Sequence, residues 1–180
     1  MSATKRAVPE TIGVWPTAAG PMGGVRGPDG LRRIILPHYA MDDLRALLAW
    51  EHAGAAADDA AFEDVAALCR AYFNRQAVDF ADVPCDLSAV GPFARRILQT
   101  CRTIPYGQTR TYTQLALMAK EDGKQRAAAQ ALGANPVPLV IPCHRVVAAG
   151  GGLGGFTAEG GADLKKRLLD LERAVAGSGG

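Results

Sequence analysis

Thr111-Tyr112-Thr113-Gln114-Leu115-Ala116-Leu117-Met118-Ala119 and the segment from Gln125 to Leu132 decide the fold of the second half of this 180-residue chain. Each reads as a short helix. Glu121-Asp122-Gly123 between them is a turn, and Gly133 stands where it can end the second helix. Two short helices around a Gly-containing turn have the form of a helix-turn-helix. The second is rich in alanine, so its backbone can approach a partner closely.

Upstream, Pro92 suits the first turn of a helix, in which Phe93, Ile97, Cys101 and Ile104 share a face. Pro105-Tyr106-Gly107-Gln108 stops it. Downstream, Val137-Pro138-Leu139-Val140-Ile141-Pro142 is apolar and bounded by proline. It is too proline-rich for a central strand and reads as a buried extended segment leading to Cys143. A Gly-rich loop spans 150–155, and a last helix over about 161–174 turns Leu164, Leu168 and Leu171 inward. Ala176 to Gly180 reads as a flexible tail.

The first half is different. Residues 11–37 read as short strands broken by Gly and Pro, with Gly27-Pro28-Asp29-Gly30 a turn before the strand Leu31–Leu36. Asp42 or Asp43 can cap a helix running to about Trp50, and Asp58 or Asp59 another. In the latter, Phe62, Val65, Cys69 and Tyr72 or Phe73 recur at helical spacing. Residues 74–91 look like a connection. The expectation is an α+β chain: a small N-terminal α+β domain with a short antiparallel sheet over 1–88, and a mostly helical domain over 89–175 carrying the helix-turn-helix in a winged-helix-like unit.

Composition excludes several classes. Hydrophobic residues are 48% and charged residues 21%, an ordinary globular balance. Met1 to Arg6 lack the apolar stretch of a signal peptide, and no run approaches a membrane span, so a soluble, cytoplasmic protein is expected; a monomer is expected as well. Cys69, Cys85, Cys101 and Cys143 show no C-x-x-C pairing and, with three histidines, no zinc-finger spacing; reduced thiols and no metal are expected. Net charge is +2, but residues 91–145 hold eight basic against two acidic residues, a local +6 that leaves −4 elsewhere. That basic region suits phosphates. Gly150-Gly151-Gly152-Leu153-Gly154-Gly155 matches G-x-G-x-x-G literally but does not sit between a strand and a helix of a βαβ unit. His38 and His52 read as surface or capping residues.

Chemistry points to Pro142-Cys143-His144-Arg145-Val146. A cysteine attacks as thiolate, and an ordinary thiol titrates near ~8.5, so a neighbouring base must take its proton. His144 is adjacent, and Glu172 is a plausible third member that orients the imidazole.

The run Asn135-Pro136-Val137-Pro138-Leu139-Val140-Ile141-Pro142-Cys143-His144-Arg145-Val146 resembles the signature of the O6-alkylguanine-DNA alkyltransferase family. Ile104-Pro105-Tyr106-Gly107-Gln108-Thr109, Tyr112-Thr113-Gln114-Leu115-Ala116, Arg126, Leu168-Leu169 and Glu172 are similar to it as well. The resemblance is close over about 89–174 and holds only in outline over 1–88. It implies a repair protein for double-stranded DNA containing O6-alkylguanine, and by extension O4-alkylthymine, that accepts the alkyl group on Cys143 once and needs no cofactor. His144, through a water, takes the proton, Glu172 steadies the imidazole, and Asn135 braces the active-site loop. Tyr112 donates to purine N3 or a nearby phosphate. The carbonyls of Cys143 and Val146 accept from the guanine amine, the Thr157 N–H donates to O6, and Phe156 walls the pocket. Arg126 enters the base stack after the nucleotide has swung out through the minor groove. Gln125, Ala127, Ala129, Arg110, Thr111 and Arg145 complete the implied DNA-binding set.

Some positions depart from the family pattern. Phe156 replaces a frequent Tyr and Thr157 a Ser, Ala158-Glu159 looks inserted, and Ala134 stands where a basic or glycine residue is common. The first half lacks the Cys and His residues that bind zinc in some relatives. Three other readings use the same residues: a non-enzymatic binder of alkylated DNA, against which Cys143 itself argues; a cysteine hydrolase, which leaves the basic helix pair unexplained; and a transcription regulator reading the major groove, which the Ala-rich helix does not favour.

Overall fold

The computed structural model describes residues 9–158 and 160–177. The Met1–Arg6 segment, Glu159 of the apparent insertion and the last three residues of the expected tail lie outside them.

The first half is a sheet with one helix on each face. Strands β1 (Thr11–Trp15), β2 (Met22–Gly27) and β3 (Gly30–Ile35) form an antiparallel meander, and the two-residue β4 (Ala56–Ala57) adds in parallel beside β1, giving the order β3-β2-β1-β4. Side chains alternate across a strand. Ile12, Val14, Val25 and Ile35 therefore meet Leu44 and Leu48 of helix α1 (Met41–Glu51) on one face. On the other, Trp15, Met22, Leu31 and Ile34 meet Phe62 and helix α2 (Glu63–Phe73). Gly13 makes that second contact possible: a Cβ there would lie 2.5 Å from Phe62 Cδ2.

The helix starts differ from expectation. Ala40, not Asp42 or Asp43, occupies the N-cap of α1; the two aspartates lie in its first turn, where they favour the helix dipole. Asp58 accepts from the N–H groups of Ala60 and Ala61, while Asp59 turns back to Val14 N and Arg45.

The second half packs helix α3 (Pro92–Arg102) against α4 (Tyr112–Met118) and α5 (Gln125–Gly133). Thr111 caps α4 in a reciprocal box: its hydroxyl accepts from Gln114 N at 3.2 Å and its N–H donates to Gln114 Oε1 at 2.8 Å. Just before it, β5 (Arg110–Thr111) pairs in parallel with β6 (Val146–Val147), which ties the start of α4 to the chain leaving Cys143. Helix α6 (Gly161–Gly177) closes the fold with Leu164, Leu168 and Leu169 buried; Leu171 is only half-buried.

One apolar core runs from the inner sheet face through α2 and α3 to Cys143 and α6. A main-chain bond joins the halves as well: Ile34 N donates to Pro136 O at 2.9 Å. Among the described residues no helix is long and apolar enough to cross a membrane.

Candidate active site and nucleic-acid interface

The segment before Cys143 is buried as the sequence suggests, but it is not extended. Leu139 has φ +74°, and Ile141 N donates back to Val137 O at 2.9 Å, so the chain doubles over. A positive φ costs a branched residue energy and needs surrounding support. Asn135 supplies it: Nδ2 donates to Ile141 O at 2.9 Å, and Oδ1 accepts from Val137 N at 3.1 Å. Asn135 thus braces the loop from both sides. A single 3₁₀ turn, Cys143–Arg145, follows.

Cys143 is 7% exposed and lines a cavity of about 430 Å³ with Tyr112, Asn135, Gly155, Phe156 and Thr157. That volume lies within the range of small-molecule pockets. Burial pushes the Cys143 thiol above its ordinary value; the Asn135 side chain, the Lys165 charge and the N–H groups of Cys143 and His144 pull the other way. The resting sulfur is therefore a thiol that needs a base when it reacts.

His144 is fully buried, and burial holds its imidazole below the ordinary histidine value despite the pull of Glu172. Its Nε2 lies 2.7 Å from Glu172 Oε1. A carboxylate only accepts, so the proton sits on Nε2 and Nδ1 is left as the acceptor. Among the described residues Nδ1 is buried and has no partner. A neutral imidazole with a free lone pair can accept a proton.

Glu172 is the anchor. Burial works against its carboxylate, but hydrogen bonds and charge from His144 and Arg145 outweigh it and hold the group ionised. Arg145 straddles both oxygens at 2.9–3.2 Å and donates to Ile104 O at 2.6 Å. Gly107 N, from a turn with φ +74°, donates to Oε2 at 2.9 Å. Tyr72 O–H donates to Oε1 at 2.8 Å. These contacts correct the assignment of Arg145 to the DNA-binding set: it is 6% exposed and committed to Glu172.

Of the other implied substrate contacts, Tyr112, Phe156 and Thr157 line the cavity and Val146 does not. Tyr112 donates to Gly155 O at 3.2 Å, and its ring closes under Gly154, where a Cβ would lie 2.7 Å from Tyr112 Cε2. Phe156 is half-buried, and the Thr157 hydroxyl donates to Gly133 O. Val146 is buried, its carbonyl accepting from Lys165 Nζ at 2.6 Å.

On the outer face, Gln125 and Arg126 are exposed at the head of α5, Ala127 and Ala129 are half-buried, and Ala128 is buried against α3 and α4. Arg126 makes no ion pair among the described residues. Arg110 is partly exposed, and among the described residues its guanidinium donates to Thr109 O and Gln108 Oε1.

Two buried polar residues escaped the sequence reading. Lys165 is fully buried, and its ammonium donates to Val146 O and, at 3.3 Å, Gly155 O. The available signal was a lysine on the apolar stripe of α6, in register with Leu168, Leu169 and Glu172. Tyr72 lies on the apolar face of α2, where its spacing marks it only as core. From the first half, Arg33 and His52 also reach the cavity rim, although Arg33 pairs with Glu51 and His52 with Glu10.

The chain is similar to known proteins over most of its length. Residues 92–174 match the family model described as 6-O-methylguanine DNA methyltransferase, DNA binding domain. A protein of Methanothermobacter thermautotrophicus named methylated-DNA–protein-cysteine methyltransferase is 36% identical over 151 residues, covering 84% of this chain and 78% of that one. A protein of Mycobacterium tuberculosis with the same name is 39% identical over 119 residues, 66% of this chain and 70% of the relative. The crystal structure of Mycobacterium tuberculosis OGT in complex with DNA superposes with a TM-score of 0.76 at 30% identity, covering 92% of this chain and 94% of the other. At that identity and coverage, the chain belongs to the methylated-DNA–protein-cysteine methyltransferase family.

Proposed function

We propose that this chain repairs double-stranded DNA by taking the alkyl group of O6-alkylguanine onto Cys143, once per molecule. The observation that carries the reading is the buried, unpartnered Nδ1 of His144 behind a cysteine that lines a base-sized cavity. The alkyl carbon of a paired guanine lies inside the duplex, so the nucleotide must first leave the stack, at a cost of a few kcal/mol that is smallest for a poorly pairing lesion. The small residues of α5 let that helix lie in the minor groove, and Arg126 fills the gap. Gln125, Arg110 and the helix pair contact the backbone as a helix-turn-helix.

In the cavity, the proton of Cys143 passes through a water to His144 Nδ1. The sulfur attacks the alkyl carbon; the S–C bond forms as the C–O6 bond breaks. The electron pair on the departing purine is neutralised by a proton from Tyr112 at N3 and steadied at O6 by the Thr157 N–H. The carbonyls of Cys143 and Val146 orient the exocyclic amine, the latter with the lone pair that Lys165 leaves open. The thioether has no leaving group, so the sulfur is not regenerated. O4-alkylthymine presents the same alkoxy group beside a ring nitrogen and is the second substrate to try. In this reading the protein acts as a monomer, with an N-terminal domain up to about residue 88 whose inner face shares its core with the second half.

Peptide mapping after incubation with an O6-methylguanine duplex tests the reading. One methyl group is expected on the peptide holding Cys143 and none elsewhere; Cys143→Ala must bind the duplex without gaining one. A methyl group on Cys69, Cys85 or Cys101 instead contradicts it.

A further inference from the structure

Tyr72 reaches the Glu172–His144 pair from the other half of the chain. It sits on α2, fully buried, exactly one hundred residues before the carboxylate that its hydroxyl touches. We propose that Tyr72 is a positioning residue for the transfer reaction: its phenol O–H, held on Glu172 Oε1, fixes the carboxylate that orients His144 and sets how strongly Nδ1 takes the Cys143 proton. The proposal rests on the reading of Cys143 as alkyl acceptor.

The hydroxyl has two neighbours, Glu172 Oε1 at 2.8 Å and His144 Nε2 at 3.5 Å. The shorter contact is a full hydrogen bond and the longer one is marginal, so the proton goes to the carboxylate. The ring is held edge-on by Phe73 and Tyr106 and tilted against Phe80. A phenylalanine would fill that space as well. A buried hydroxyl is costly unless bonded, so Glu172 is what the oxygen is there for. Burial and the nearby Glu172 charge both push the phenol far above neutrality, and it stays a donor throughout the working pH range.

Oε1 therefore carries three donors, Tyr72, His144 and Arg145, and each lowers its appetite for the others. The remaining charged or titratable groups around His144 are Arg145 and Lys165, both of which oppose its protonation, and Cys143 next in the chain. Tyr106 faces Glu172 across the Arg145 guanidinium, and its buried hydroxyl has no partner among the described residues. Removing the Tyr72 donor leaves Oε1 a stronger acceptor for His144. The imidazole then holds a proton to higher pH, and the neutral base is lost sooner as the solution is acidified.

The test is the single-turnover rate of methyl transfer from a saturating O6-methylguanine duplex, followed through the imidazole titration range. For Tyr72→Phe the acid limb of the profile is expected to move up by about half a pH unit, a modest part of a charge-assisted hydrogen bond. Tyr106→Phe is expected to leave it in place. Site-specific 3-fluorotyrosine at 72 keeps the shape and sharpens the donor, so it must move the limb the opposite way. That substitution decides the matter if the phenylalanine variant does not fold. Profiles of both Tyr72 replacements that superpose on wild type overturn the proposal while leaving the Cys143 reading intact. A wild-type chain that transfers no alkyl group overturns both.

Discussion

The two halves of the molecule distribute charge in opposite ways. In the first half most arginines are matched near the surface: Arg26 with Asp64, Arg32 with Glu10 and Asp86, Arg33 with Glu51, Arg45 with Asp59, Arg70 with Glu63. Its core is apolar on both faces of the sheet. The second half has surface pairs too, such as Arg96 with Glu121 and Lys166 with Asp170, but it also holds charged groups inside. Glu172, Arg145, Lys165 and His144 are buried together, while Arg126 and Arg110 stand outside without a carboxylate partner among the described residues. Burying charge costs several kcal/mol per ion unless each is well paired, and matched surface pairs contribute little. The first half is thus built for stability, and the second accepts a costly interior that fixes an imidazole and an exterior that suits phosphates.

The contrast can be broken most forcefully at Glu172. Glu172→Ala leaves the Arg145 guanidinium buried without its counter-charge and should cost about 3–5 kcal/mol in denaturant unfolding. It should also slow transfer by at least ~10²-fold, through the loss of an oriented base. Leu48→Ala in the first half should cost about 2–5 kcal/mol by opening a cavity under α1, yet leave one methyl group transferred per folded molecule. If Leu48→Ala abolished transfer in folded protein, the division of labour would fail.

Acid should act mainly through the second half. His144 is held neutral by burial, so its pKa is lower folded than unfolded, and the unfolded chain binds more protons below about 6.5. Stability should fall as pH drops through that window. It should fall further between about 4.5 and about 2, where the contribution of Glu172, complete above its ordinary value, is lost as the folded carboxylate takes up its proton. Urea midpoints measured against pH should show the first step in wild type and lose it in His144→Gln.

The surface cations give the smaller effects. Arg126→Ala should weaken duplex binding roughly tenfold and reduce the slope of log affinity against log salt by about 0.9 if it neutralises one phosphate as it enters the groove. Arg26→Ala should cost no more than about 1 kcal/mol of stability and leave that slope unchanged, because its charge is already matched by Asp64. Salt-dependent fluorescence anisotropy separates the two.

Much of this contrast was legible from residue order. Local periodicity marks α2, α3 and α6, and the adjacency of Cys143 and His144 marks the chemistry. What escaped depends on partners far away in sequence. Arg145 carries the same letter as Arg126, and only the arrival of Glu172 makes one internal while the other stays outside. Tyr72 and Lys165 each lie on the apolar stripe of a helix, where a polar end is masked by an apolar stem. The turn at Leu139 needs a positive φ that a leucine does not advertise, and it exists because Asn135 clasps both sides. The pairing of β5 with β6 is two residues long, too short for any alternation to show.

The central claim is that one sulfur is consumed for each lesion removed. Titrating a fixed amount of protein with increasing O6-methylguanine duplex, and counting methyl groups lost from DNA, measures this directly. The count should rise linearly and stop at one per chain, with no further loss on longer incubation. Continued removal beyond that plateau by protein whose Cys143 remains a free thiol would contradict the account.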